Sequence, residues 1–140
     1  MESYTGISTS VLQKKKTEKE KLLSARVSKI IGQNVKNLDY YHEAFSLKIP
    51  NKTTGAKNYE RLEFLGDAVL GSIISCYLYK NYPVANEGFL TQMKSKIVNR
   101  KNLNSLGEKL KLTDFIQNGG NGNLGENISG NLFEAFIGAL

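Results

Sequence analysis

The stretch Asn58-Tyr59-Glu60-Arg61-Leu62-Glu63-Phe64-Leu65-Gly66-Asp67-Ala68-Val69-Leu70 places three acids in an otherwise apolar run, and it constrains the 140-residue chain more than any other segment. At helical spacing Glu60, Glu63 and Asp67 stand at i, i+3 and i+7 and share one narrow stripe, while Leu62, Leu65 and Val69 face elsewhere. Like charges so placed destabilise a helix by roughly a few tenths of a kcal/mol per pair, and by more where burial removes water. Two readings relieve that strain. The stripe is a solvated acidic face with Arg61 beside it, or it holds a hard cation such as Mg²⁺, which takes carboxylate, water and phosphate oxygens.

Charge and composition narrow the partners. A net charge of +6 favours nucleic acid or another polyanion. The single histidine, His42, read as a helix-surface residue, cannot supply the pair of imidazoles that metal-free RNA cleavage commonly uses. The single cysteine, Cys76, lies in Ile73-Ile74-Ser75-Cys76-Tyr77-Leu78 and is expected to be buried, in a reducing compartment. No apolar run is read as reaching the ~18–20 residues of a membrane span, and no signal-peptide core is seen, so a cytoplasmic chain without a membrane partner is expected. The length suits one domain with a real core.

Along the chain every periodic segment is helical, which predicts an all-α fold. Residues 1–15 are expected to be a flexible tail. Leu22, Leu23, Val27, Ile30 and Ile31 define a helix within Leu12–Ile31, closed by Gly32. Its run Lys14 to Lys21 mixes both signs and reads as a wet face rather than a phosphate contact. A short helix over Asn37–Leu47 is stopped by Pro50, and a loop to Lys57 delivers the chain to the acidic helix, expected to run to Tyr82 and to be interior. A further helix starts at Glu87, and Leu103, Leu106, Leu110 and Leu112 continue its pattern. Lys94, Lys96, Arg100 and Lys101 flank its apolar stripe as the best candidates for contact with phosphate. Asn118–Asn123 reads as a flexible loop. A last helix over Asn127–Leu140 carries Asn131 and Glu134 one turn apart on one face.

Glu60-Arg61-Leu62-Glu63-Phe64-Leu65-Gly66-Asp67 resembles the signature of the ribonuclease III family almost letter for letter. Asn37-Leu38 to Ala44-Phe45, Asn86-Glu87-Gly88 with Met93-Lys94 and Val98, and Phe133-Glu134-Ala135-Phe136-Ile137-Gly138-Ala139 resemble its neighbouring helices, in the same order. The resemblance covers about residues 20–140. It implies a helical-bundle endonuclease domain over residues 16–140, cut short within its last helix and without a double-stranded-RNA-binding domain. It also implies a homodimer that cleaves double-stranded RNA, such as ribosomal or messenger RNA precursors. The implied chemistry is attack by a metal-activated water, leaving 5′-phosphate and 3′-hydroxyl ends, with Mg²⁺ as cofactor and Mn²⁺ able to substitute. By resemblance the metal ligands are Glu63, Asp67, Asn131 and Glu134, of which Asp67 and Glu134 are catalytic; Glu60 and Glu87 are supporting acids, and Phe64 packs into the partner subunit.

The chain departs from the family pattern where Asn131 replaces a common aspartate and where Ser46-Leu47-Lys48-Ile49 replaces a Thr-His-basic-Ser run. The amide at Asn131 removes one negative charge from the site. The alternative reading is therefore a catalytically weak or inactive RNA-binding or dimerisation domain of the same fold.

Overall fold

The computed structural model describes residues 15–49, 57–119 and 122–140. The N-terminal tail and the loop from Pro50 lie almost wholly outside the described residues, as do Gly120 and Asn121. The chain divides between Asn34 and Val35 into two compact units. The regular elements are α1 (Glu18–Ile31), α2 (Leu38–Ala44), α3 (Tyr59–Asn81), α4 (Glu87–Ile97), α5 (Arg100–Lys109), a 3-10 turn at Leu112–Phe115, and α6 (Ile128–Ala139). No strand occurs among the described residues.

In the first unit α1 begins later than the periodicity suggests because Thr17 caps it. The Thr17 hydroxyl accepts from the Glu20 amide, and the Glu20 carboxylate accepts from the Thr17 amide, a reciprocal capping box. Gly32 ends the helix at φ 71, as expected. Leu23 and Val27 are its buried residues, and Lys21 pairs with Glu18 at 2.6 Å on the exposed side.

The second unit is built around α6, which packs along α3 and α5 and also touches α2 and the 3-10 turn. Leu132, Ala135 and Phe136 are buried in its middle. Phe136 meets Tyr41 of α2 at 5.9 Å and Phe45 at 6.1 Å between ring centroids, and Phe45 meets Phe115 at 5.0 Å. These tilted aromatic pairs join α6 to α2, to Phe45 and to the 3-10 turn.

Helix α3 is not interior. Leu62, Gly66 and Leu78 are its buried residues. Leu65, Val69, Ile73 and Tyr77, expected in the core, are exposed, with Ile73 55% exposed. Cys76 is exposed as well. The helix has two apolar sides, and α6 covers the one carrying Gly66. Among the described residues the other side stays exposed, at Leu65, Val69, Ile73 and Tyr77. By length and composition α3 also meets the description of a membrane-spanning helix, with a mean hydropathy of 1.3 over its most apolar stretch. The expectation that no run approaches that length is therefore corrected: such a run exists, but it carries Asp67 and lies against α6.

Three further boundaries differ from the sequence reading. Helix α2 ends at Ala44, capped by Phe45 and well before Pro50, and the chain after it is fastened by Asn118. The Asn118 side chain accepts from the Leu47 amide at 2.6 Å and donates to the Leu47 carbonyl at 2.9 Å, so this end of the expected loop is fixed. The helix begun at Glu87 breaks at Val98-Asn99. There Asn99 caps a new helix, accepting from the Asn102 amide at 2.9 Å. Lys94 and Lys96 thus belong to α4, whereas Arg100 and Lys101 open α5. Lys111, at φ 53, then ends the helical run before Leu112.

Candidate active site

The site follows from how closely α6 approaches its two neighbours. A Cβ on Gly66 would overlap the Glu134 carbonyl and stand 2.9 Å from the Gly138 amide nitrogen; one on Gly138 would overlap the Leu62 carbonyl and stand 3.1 Å from the Gly66 nitrogen. The α3–α6 contact is therefore backbone against backbone at this crossing. Glu63 and Asp67, one turn before and one residue after Gly66, are carried to the flank of α6 where Glu134 emerges. On the other side of α6 the same device recurs. A Cβ on Gly107 would overlap the Ser129 carbonyl, and one on Gly130 would stand 2.6 Å from Asn104 Oδ1. Asn104 Oδ1 accepts from the Gly130 amide at 2.9 Å, tying α5 to α6.

Glu134 is only 3% exposed, a buried carboxylate paired with the guanidinium of Arg100. Arg100 Nη1 donates to Glu134 Oε2 at 3.1 Å and to Asn131 Oδ1 at 2.8 Å. Burial raises the pKa of Glu134 above the usual glutamate range; Arg100 opposes the rise and Asp67 adds to it. Glu63, half-buried, is also raised, first by burial and then by the charge on Glu134. Arg100 lowers it, while Glu60 and Asp67 raise it further. These mutual effects place Glu60, Glu63, Asp67, Glu134 and Arg100 in one electrostatic neighbourhood. The acidic stripe is therefore not simply wet surface: the half-buried Glu63 feels the charge of the buried Glu134.

The other candidate residues are more scattered. Glu60 is exposed and receives Lys48 Nζ at 3.3 Å, so the Ser46–Ile49 segment does reach the edge of the site. Glu87 opens α4 and accepts from the Thr91 hydroxyl at 2.6 Å, and its charge is not among those acting on Glu63 or Glu134. Phe64 is 81% exposed. Of the basic candidates, Lys96 and Lys101 are exposed, Lys94 is half-buried with its ammonium over Gly71, and Arg100 is turned into the site. A leucine pattern that runs on as one continuous helix hides the role of Arg100 as partner to Asn131 and Glu134, because it puts that side chain on the outer face. Asn99 carried the signal: an N-cap residue there starts a new helix with Arg100 at its first position.

The oxygens of Glu63, Asp67, Asn131 and Glu134 suit a hard divalent ion, and a buried carboxylate flanked by like charges calls for a cation. Among the described residues no three His, Cys, Asp or Glu side chains are grouped tightly enough to hold an ion as they stand. Arg100 engages two of the four donors instead. The residues thus fit such an ion chemically, in a site whose cationic position is shared with a guanidinium.

Residues 60–140 match the Ribonuclease III domain family. The chain is 44% identical over 129 residues to Ribonuclease 3 of Flavobacterium psychrophilum, covering 89% of this chain and 52% of that protein. It is 49% identical over 116 residues to Ribonuclease 3 of Zunongwangia profunda, covering 80% and 48%. The chain thus spans about half the length of these curated relatives. Among solved structures it is similar to the nuclease domain of ribonuclease III from Campylobacter jejuni, described for flexibility in a region involved in dimer formation. The TM-score is 0.70 at 29% identity, over 81% of each chain. Dicer from Pichia stipitis gives a TM-score of 0.58 at 28% identity, over 75% of this chain and 45% of that one.

Proposed function

Because the chain belongs to the ribonuclease III domain family, we propose that it is the nuclease domain of an Mg²⁺-dependent endoribonuclease that cleaves double-stranded RNA to 5′-phosphate and 3′-hydroxyl ends. One observation carries this reading: a buried glutamate on α6, Glu134, set against Glu63 and Asp67 of α3 by a glycine crossing. So much negative charge in a desolvated place is hard to explain as a stabilising device.

Glu63, Asp67, Asn131 and Glu134 would hold the ion. A bound Mg²⁺, or Mn²⁺ in its place, supplies positive charge to the phosphate under attack and makes a water acidic enough to act as nucleophile. The protein's own residues do the rest. The crossing of α3 and α6 fixes the backbone positions of the acids before substrate arrives, leaving side-chain movement and the release of Arg100 to complete the site. Asp67 is the exposed member, facing outward where a backbone phosphate would approach. Glu134 is the buried member, shielded from water. Lys96 and Lys101, both exposed, supply cations for neighbouring phosphates, and much of the affinity for duplex RNA would be of this kind.

The active form is proposed to be a homodimer, which would give one cut per strand. Support comes from the exposed apolar side of α3 and from Phe64, which stands at the rim of a hollow of about 690 Å³ lined by Tyr40, Glu43, Lys57, Glu60, Arg61, Leu62 and Leu65. A two-fold interface would place the Phe64 of each copy against the hollow of the other.

The test is incubation of the purified domain with a long RNA duplex in Mg²⁺ and, separately, in chelator. Shortening of the duplex in Mg²⁺ alone is expected. Tight binding with no cleavage in either would overturn the reading in favour of an inactive RNA-binding domain.

A further inference from the structure

We infer that Arg100 is a built-in counter-cation of this site: its guanidinium holds Asn131 and Glu134 in place before a divalent ion arrives and competes with that ion for the same two oxygens. The inference rests on the site being a metal site and adds a role for a residue outside the ligand set.

The geometry is specific. A single nitrogen, Nη1, donates both to Asn131 Oδ1 at 2.8 Å and to Glu134 Oε2 at 3.1 Å. Those are the two donors that α6 offers, one turn apart. The base of the Arg100 side chain is also fixed. Asn99 caps α5 directly before it, and α5 is seated on α6 through Gly107 against Ser129 and Gly130 against Asn104. The guanidinium therefore reaches the acids by construction.

Burial differs across the pair. The Glu134 side chain is 4% exposed, whereas that of Arg100 is 44% exposed. Arg100 approaches from the solvent side and can swing back into water without opening the core. Glu134 cannot leave. An ion entering the site would displace the arginine and keep the glutamate, exchanging two hydrogen bonds to a charged donor for ion–oxygen contacts.

Two measurements test this with Mg²⁺ alone, one by calorimetric titration and one by thermal melting, on the wild-type domain and its R100Q, R100K and E134Q variants. With chelator present, R100Q is expected to melt below wild type because Glu134 loses its counter-charge, and saturating Mg²⁺ should close most of that gap. Mg²⁺ should bind R100Q about tenfold more tightly than wild type, the scale of a lost charged hydrogen bond, with R100K in between. Rescue by the ion is the decisive readout, because an arginine needed only for packing would leave a deficit that Mg²⁺ does not repair. Equal or weaker Mg²⁺ binding in both R100Q and R100K, with binding abolished in E134Q, would overturn the role of Arg100 while sparing the metal site. If wild type and E134Q alike bind no Mg²⁺, the metal site falls and this inference with it.

Discussion

At the scale of single residues, Glu134 and Glu63 carry the tension in this molecule. Both carboxyls are raised above the ordinary value of 4.5, chiefly by burial. The folded state therefore keeps its protons to higher pH than the unfolded chain does, and binds more protons in the window just above 4.5. Stability contributed by these groups is fully present below 4.5 and is lost as pH rises through the raised values. In chelator, the melting temperature of wild type relative to a Glu63→Gln/Glu134→Gln double variant should accordingly fall as pH is raised from 4.5 toward neutrality. Mg²⁺ should reduce that fall, since a cation favours the ionised forms; a difference independent of pH would contradict the account. For activity, Asp67→Asn and Glu134→Gln each remove a charge with little change of shape. Each is expected to lower cleavage of duplex RNA by more than about a hundredfold, beyond the loss usual for residues that only support a metal ligand, while gel-shift affinity stays near wild type. That Glu63 and Asp67 share a neighbourhood with Glu134 is implied in the sequence only by the family likeness, and their mutual electrostatic effects agree with it. Arg100 is not placed by the helical pattern, in which a surface lysine and an arginine folded inward leave the same trace; the cap at Asn99 is the one local sign that a new helix begins there.

At the scale of elements, the decisive features are where helices cross and where they stop. Gly66 meets the Glu134 carbonyl and Gly71 meets the flexible end of Lys94, although both lie in α3. Gly66→Ala should therefore destabilise the domain by about 3 kcal/mol or more, because two backbones must part, and should weaken Mg²⁺ binding as Glu134 moves away. Gly71→Ala should be close to neutral or stabilising by up to about 1 kcal/mol, since Lys94 can shift and alanine favours the helix. Chemical denaturation of the two variants checks the contrast. Helix positions were largely readable from apolar period, but their ends depended on local chemistry. The cap at Asn99 outweighed a leucine pattern that ran on past it, and the two bonds from Asn118 to Leu47 held a segment whose composition suggested a free loop.

At the scale of the whole molecule, the exposed side of α3 is what the sequence could least disclose. A face that a second copy would cover, as proposed for α3, has the same composition as one buried in its own core, so Leu65, Val69, Ile73 and Cys76 read as interior although they are exposed. Their exposure leads to a prediction about assembly. Ile73→Glu should shift the domain from dimer to monomer in sedimentation experiments while leaving its helical signal intact; an unchanged dimer would move the interface elsewhere. The glycine seam between α3 and α6 has one more consequence. Helices spaced by side chains change their separation whenever those side chains are exchanged, but here peptide groups set the distance near the acids. Replacements among the buried leucines and phenylalanines can accumulate and alter how tightly the domain holds together, yet the gap between Glu63 and Glu134 should stay the same, leaving the core free to drift while the chemistry does not.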